Sequence, residues 1–275
     1  MTEREQMLMS VLDCRRVDLF VDPKRLTPSQ EDFFQRMKSR RDTGEPLQYI
    51  IGHCEFMGIK IFIDPRVLIP RPETELLTAI AIERLEKCSP RKPLRILDLG
   101  TGSGNIAIAL AKNIENGRIL TVDICPRALE LAKENARFNG VDHKVDFYCE
   151  DMISFLQRRP DTNAPFDLII SNPPYVAHAK ISQLPADVRQ EPWLALDGGE
   201  DGLNFYRTII AGAYRLLADN GFLCMEIGDG QADAIQKIFE DHPCHPYDRI
   251  CFKEDNTMTK RIVIAQRKDL PWINS

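Results

Sequence analysis

From Arg95 onward, short apolar runs alternate with stretches whose apolar positions recur at helical spacing. Arg95 to Leu99 reads as a buried strand, Asn105 to Ile114 as an Ala/Ile/Leu-rich helix, and Arg118 to Val122 as a second strand ending at Asp123. Pro126 to Asn139 predicts a helix with Gly140 beyond its end, followed by a third strand from Lys144 to Tyr148 that reaches Glu150-Asp151. Phe166 to Ser171 is the fourth strand. Leu203 to Ala218 reads as helix, Gly221 to Ile227 as strand and Gln231 to Asp241 as helix, and strands near Asp248 to Phe252 and Arg261 to Ala265 form a closing hairpin. This alternation predicts an α/β fold with a mostly parallel sheet, the first strands ordered 3-2-1-4-5, and an antiparallel C-terminal edge.

The N-terminal part has a different texture. Thr2 and Glu5 form a capping-box pattern ahead of Met7, Leu8, Val11 and Leu12, and Thr27-Pro28-Ser29-Gln30 opens a second helix. Phe33, Phe34 and Met37 predict its apolar face, and Gly44 its stop. Residues 45–70 read as a β-hairpin linker with its turn at Gly58. Leu68 to Glu75 then leads into a helix with Pro72 near its start and Leu76, Leu77 and Ile80 on its buried face. The expected division is a small helical domain over 1–44, the linker over 45–70 and the α/β domain over 71–275.

Composition narrows the function classes. A chain of 275 residues with 43% hydrophobic and 28% charged residues can build a large core plus a small domain. Its net charge of −5 disfavours broad, sequence-independent nucleic-acid binding, so no direct nucleic-acid partner is expected. Without a cationic-then-apolar leader or a run of membrane-spanning length, the expectation is a cytoplasmic protein that makes no membrane contact. The eight cysteines, Cys88 among them, form no Cys-x-x-Cys pair and read as reduced thiols. His242-Pro243-Cys244-His245-Pro246 has no second ligand pair at zinc-like spacing, so no metal is expected.

Candidate chemistry gathers at strand ends. Gly100-Thr101-Gly102-Ser103-Gly104 follows the first strand and lets backbone approach a ligand closely at a helix N-terminus. It is neither the dinucleotide fingerprint Gly-x-Gly-x-x-Gly nor a phosphate loop ending in Gly-Lys-Ser/Thr. Asp123 stands where it can accept hydrogen bonds from ribose hydroxyls, or cap the helix opened by Pro126. Asp151-Met152 suits either an adenine edge and face or a turn. Asn172-Pro173-Pro174-Tyr175 ends the fourth strand abruptly, because neither proline has an N–H to donate. That leaves either an Asn side chain and turn carbonyls as rigid acceptors suited to a planar amide –NH2, or a plain strand stop followed by a solvated turn. With the expected strand order, this turn and the glycine loop converge on one cleft at the switch point.

The set Asp98 to Gly104, Asp123 and Asn172 to Tyr175 resembles class I S-adenosylmethionine-dependent methyltransferases acting on exocyclic or amide nitrogen. Gly44-Glu45-Pro46-Leu47-Gln48-Tyr49, Leu68 to Glu75 and Val188 to Leu196 narrow it to the peptide chain release factor N5-glutamine methyltransferases, the HemK/PrmC type. The likeness runs from about Leu26 to the C-terminus. It implies a Rossmann-like seven-stranded sheet, S-adenosyl-L-methionine as cofactor, and as substrate the glutamine of the Gly-Gly-Gln motif in class I release factors, met by a monomer. It also implies that Gly100, Thr101, Gly102, Ser103 and Gly104 line the cofactor's methionine–ribose region. Asp123 then takes the ribose hydroxyls, Met152 the adenine, and Asn172, Pro173, Pro174 and Tyr175 the glutamine side chain, with Asn172 also bordering the cofactor and Tyr175 against the amide plane. The N-terminal segment is shorter than the family's helical domain by about one helix, and Met152 stands where some relatives carry an aromatic residue. Arg71, Glu73, Arg189 and Glu191 read either as cleft-closing groups or as structural ion pairs. The competing readings are a nucleic-acid (adenine-N6 or guanine-N2) methyltransferase and a non-catalytic binding module on the same fold.

Overall fold

The computed structural model describes residues 1–21, 25–88, 93–158 and 165–269. The side chain of Cys88 lies outside that description. Thr2 and Thr27 each accept a hydrogen bond from the backbone N–H three residues on, and Glu5 and Gln30 return it, which starts α1 (Glu3–Leu12) and α3 (Pro28–Asp42). Between them lies α2 (Asp18–Val21), and α4 (Leu47–Ile51) follows. Met7, Phe34, Met37, Leu47 and Ile50 close a small core of their own. Phe33, expected on the buried face, is 43% exposed beneath the guanidinium of Arg36, because the helix turns only Phe34 and Met37 towards α1 and α4.

The stretch expected to be hairpin linker opens instead with α4, whose Leu47 and Ile50 belong to the helical core, and only then folds as β1 (His53–Phe56) and β2 (Ile59–Phe62). Met57 and Gly58 both have positive φ, 51° and 74°, as a two-residue hairpin turn requires. Next comes α5 (Pro72–Cys88), followed by β3 (Leu94–Leu99), α6 (Asn105–Asn113), β4 (Gly117–Asp123), α7 (Pro126–Phe138) and β5 (Val145–Cys149). The chain continues through α8 (Met152–Arg158), β6 (Phe166–Ser171), α9 (Asn204–Ala213), β7 (Leu217–Glu226), α10 (Ala232–Glu240), β8 (Tyr247–Glu254) and β9 (Lys260–Arg267).

The strands form one seven-stranded sheet in the order β5-β4-β3-β6-β7-β9-β8. It is parallel through β7 and antiparallel at β9 and β8. Alternation along the central strands splits the core into two layers. Ile96, Leu168 and Ile170 face the hairpin, α5, α6 and α7, whereas Leu97, Leu99 and Ile169 face α8, α9 and α10. Leu99 pairs with Val122 on one side and Ser171 on the other, so β3, β4 and β6 end level with one another.

Two element boundaries differ from the sequence reading. The helix expected to reach Ala218 stops at Ala213, and Leu217 already pairs with Phe166 in the sheet. Pairing with a buried neighbour strand here outweighs local helical spacing, and a kink at Asn220 (φ 60°) restores register before Gly221. The third strand ends at Cys149 rather than Asp151. Asp151 instead caps α8, accepting from the backbone N–H groups of Ile153 and Ser154.

Candidate active site

Level strand ends open one cleft at the sheet's C-terminal edge. Gly100, Thr101, Gly102, Ser103, Asp123, Met152, Asn172 and Pro174 line it, together with Leu68 and Pro70 from the segment leading into α5, Thr74 from the first turn of α5, and Pro192, Leu194 and Ala195 from the loop after β6. Other residues singled out in the sequence stand behind this wall. Gly104 is the N-terminal cap of α6, and a Cβ there would meet Ala132 at 3.1 Å, so its smallness serves the contact between α6 and α7. Pro173 is buried in the turn. Tyr175 sends its ring into the second core layer and its hydroxyl towards Glu226 Oε1 at 3.5 Å, because that core offers apolar contact for the ring. Its carbonyl accepts from Gln231 Nε2 at 3.0 Å, which pins the turn from behind.

The glycine loop is shaped by its backbone. Gly100 and Gly102 have positive φ (75° and 53°), and a Cβ on Gly100 would lie 3.1 Å from the Met152 side chain. Thr101 Oγ1 donates to Asp98 Oδ2 at 2.6 Å. The other oxygen, Oδ1, is buried with no hydrogen-bond partner among the described residues. Burial pushes the Asp98 carboxyl up to about 7, against the bond from Thr101 and helped by the charge of Asp123. Asp123 accepts from Gly102 N at 2.8 Å and Cys125 N at 2.9 Å, so one carboxylate ties the loop after β3 to the start of α7. Burial raises its pKa as well, opposed by those two backbone bonds. Each of its oxygens keeps a further lone pair.

Asn172 follows Ser171, whose Oγ donates to the Leu99 carbonyl at 2.7 Å and locks β6 to β3 at the point where the turn begins. Asn172 Nδ2 donates to Thr74 Oγ1 at 3.0 Å, and Thr74 Oγ1 donates to Glu226 Oε2 at 2.6 Å. Arg71 and Glu191 form a structural ion pair at 2.5 Å. Glu191 also accepts from Ile69 N at 3.0 Å, a buried bond that clasps the loop after β6 to the linker.

Sequence reasoning passed over Thr74, Glu226, Gln231 and Asn135. Asn135 is fully buried on α7; its side chain pairs with both backbone groups of Phe62 in β2 and donates to the Ser103 carbonyl at 2.9 Å. For Glu226 a signal existed: an acid ending the apolar run Leu223-Cys224-Met225, as Asp123 ends β4. Asn135 is a polar position within the apolar helical pattern of α7, and its partners are distant in sequence.

An open α/β sheet of this order, with a glycine loop and an acidic residue at adjacent strand ends, defines a class I S-adenosylmethionine-dependent methyltransferase. A Methyltransferase domain matches residues 90–272, and a PrmC N-terminal domain matches residues 2–52. The chain is 42% identical to a release factor glutamine methyltransferase of Moorella thermoacetica, covering 78% of this chain and 72% of that one. A release factor glutamine methyltransferase of Thermodesulfovibrio yellowstonii is 41% identical, covering 86% and 82%. Among solved structures, a ribosomal protein L11 methylase from Lactobacillus delbrueckii subsp. bulgaricus shares the fold with a TM-score of 0.50 at 23% identity, covering 76% of this chain and 85% of that one. This chain belongs to the release factor glutamine methyltransferase family.

The residues present fit the cofactor. Its ammonium and ribose hydroxyls call for negative charge and acceptors; Asp123 lines the cleft with spare lone pairs, and behind Thr101 the buried Asp98 keeps one oxygen without a hydrogen-bond partner among the described residues. A Cβ on Gly102 would meet nothing within 4 Å, so the backbone itself borders open space there.

Proposed function

We propose that this chain transfers a methyl group from S-adenosylmethionine to the side-chain amide nitrogen of the glutamine in the Gly-Gly-Gln motif of class I release factors. One observation carries the reading: the glycine loop after β3 and the Asn172 turn after β6 line the same cleft. When bound, the cofactor supplies a sulfonium-activated methyl group. Thr101, Gly102 and Asp123 hold its methionine–ribose region, and Met152 with Ile124 borders the adenine.

A carboxamide nitrogen is a poor nucleophile because its lone pair is delocalised into the carbonyl. Asn172 Oδ1 and a carbonyl of the proline turn accept its two N–H bonds. That aims the nitrogen and favours the positive charge that grows on it as the new bond forms. No general base is needed beforehand: the nitrogen–carbon bond would form as the sulfur–carbon bond breaks, leaving S-adenosylhomocysteine, and the proton that turns acidic only then would pass to solvent. Leu68, Pro70, Leu194 and Ala195 exclude water around the substrate's methylenes. The helical domain over 1–44 serves as a docking surface for the release factor, and the α/β domain over 71–275 carries the chemistry.

Labelled S-adenosylmethionine offered with a release factor, with the same factor lacking that glutamine, and with DNA or RNA tests the reading. Label is expected in the first alone. Label in nucleic acid with an unmodified release factor would overturn it.

A further inference from the structure

We infer that Thr74, backed by Glu226, is a positioning residue that fixes which end of the Asn172 amide faces the cleft. This rests on the proposed role of Asn172 and deepens it.

The two ends of an Asn side chain are nearly the same size but opposite in hydrogen-bonding sense. Only the oxygen, turned to the cleft, can accept from a substrate –NH2. Thr74 is 2% exposed in the first turn of α5, and its hydroxyl has one proton to give. Above about pH 7, where Glu226 is ionised and only accepts, that proton goes to Glu226 Oε2, 2.6 Å away. The face of Oγ1 towards Asn172 is then a lone pair, complementary to N–H and repelled by C=O. Asn172 Nδ2 meets it at 3.0 Å, leaving Oδ1 for the cleft.

Each member is itself held. Thr78 Oγ1 donates to the Thr74 carbonyl at 2.8 Å, and Tyr206 donates its hydroxyl to the Glu226 carbonyl at 3.0 Å. Glu226, 1% exposed, ends β7, the strand next to β6, so the chain of bonds spans the sheet edge from α5 to β7. Its neighbours in charge are Glu73, Arg261 and Arg71, with the Tyr175 hydroxyl at 3.5 Å.

Thr74→Ser keeps the hydroxyl, Thr74→Val keeps the shape without it, and Glu226→Gln replaces a pure acceptor by a group that donates equally well. With a release factor as substrate, Thr74→Val is expected to lower kcat by roughly 10-fold to 10²-fold with KM and S-adenosylmethionine Kd nearly unchanged. Thr74→Ser should restore kcat to within about threefold, and Glu226→Gln should fall between the two while melting no lower than the parent. A second readout needs no turnover. In ¹⁵N spectra one Asn172 side-chain amide proton should exchange slowly in the parent and in Thr74→Ser, and rapidly in Thr74→Val. Undiminished kcat in both Thr74→Val and Glu226→Gln, or equal losses in Thr74→Val and Thr74→Ser, would overturn the inference. So would an Asn172 amide signal indifferent to all three changes. A parent enzyme that leaves the release factor unmethylated would instead overturn the proposed function, with the amide signal still deciding the bond.

Discussion

At the scale of single residues, the strand ends behind the cleft wall bury carboxylates that ordinary folding would keep in water. Asp98 and Glu226 are both buried, and burial pushes each up to about 7 from ordinary values of 3.8 and 4.5. A carboxyl whose folded-state pKa lies above its unfolded one binds protons more tightly in the native state. Its stabilising contribution is therefore full in acid and is lost as pH rises from about 4 towards 7. In the absence of cofactor, Asp98→Asn should flatten that decline, so that melting scans across the window converge with the parent at the acid end and exceed it at neutral pH. The same variant should bind S-adenosylmethionine more weakly, because a negative charge behind the loop has gone. Asn172→Ala should lower kcat by on the order of 10²–10³ while leaving cofactor affinity intact, as read by single-turnover methylation beside equilibrium binding. Asn172 and Asp123 were legible in the sequence because a proline turn and a strand-end acid are local signals. Thr74 was not, since its meaning comes from Glu226, which β7 brings into contact with it from far along the chain.

At the scale of elements, the parallel strands were legible because their apolar runs are short and punctuated by glycine, proline and Asn-Pro-Pro. What escaped was the place where pairing overrides pattern: Leu217 and Ala218 continue a helical spacing yet join β7, since Phe166 offers a strand edge that must be satisfied. Contacts between elements were equally invisible. Asn135 fastens α7 to β2 and to the glycine loop with one side chain. Asn135→Ala would strand both backbone groups of Phe62 and the Ser103 carbonyl, and the expected loss is about 3 kcal/mol in a urea titration. Cofactor affinity should fall with it, since the loop loses a support. Unchanged stability would mean that water replaces all three bonds.

At the scale of the whole molecule, the small core of Met7, Phe34, Met37, Leu47 and Ile50 sits apart from the two layers around the sheet. Gln190 donates to the Gly44 carbonyl at 2.8 Å, linking the loop over the cleft to the end of the helical segment. On that segment Val17, Phe20 and Val21 are exposed at 51%, 65% and 78%. If the segment docks the release factor, Phe20→Ser should raise KM for the intact factor by roughly tenfold, the equivalent of about 1.4 kcal/mol. A short glutamine peptide should be methylated as before. Equal effects on both substrates would assign Phe20 to stability instead.

The proposed methyl transfer depends on two neighbouring strand ends sharing one cleft, and a crystal structure with bound S-adenosylmethionine tests that most directly. The cofactor's sulfonium methyl is expected to point at Asn172 Oδ1, with Asp123 on the ribose hydroxyls. A methyl group directed away from Asn172, towards any other wall of the cleft, would contradict it.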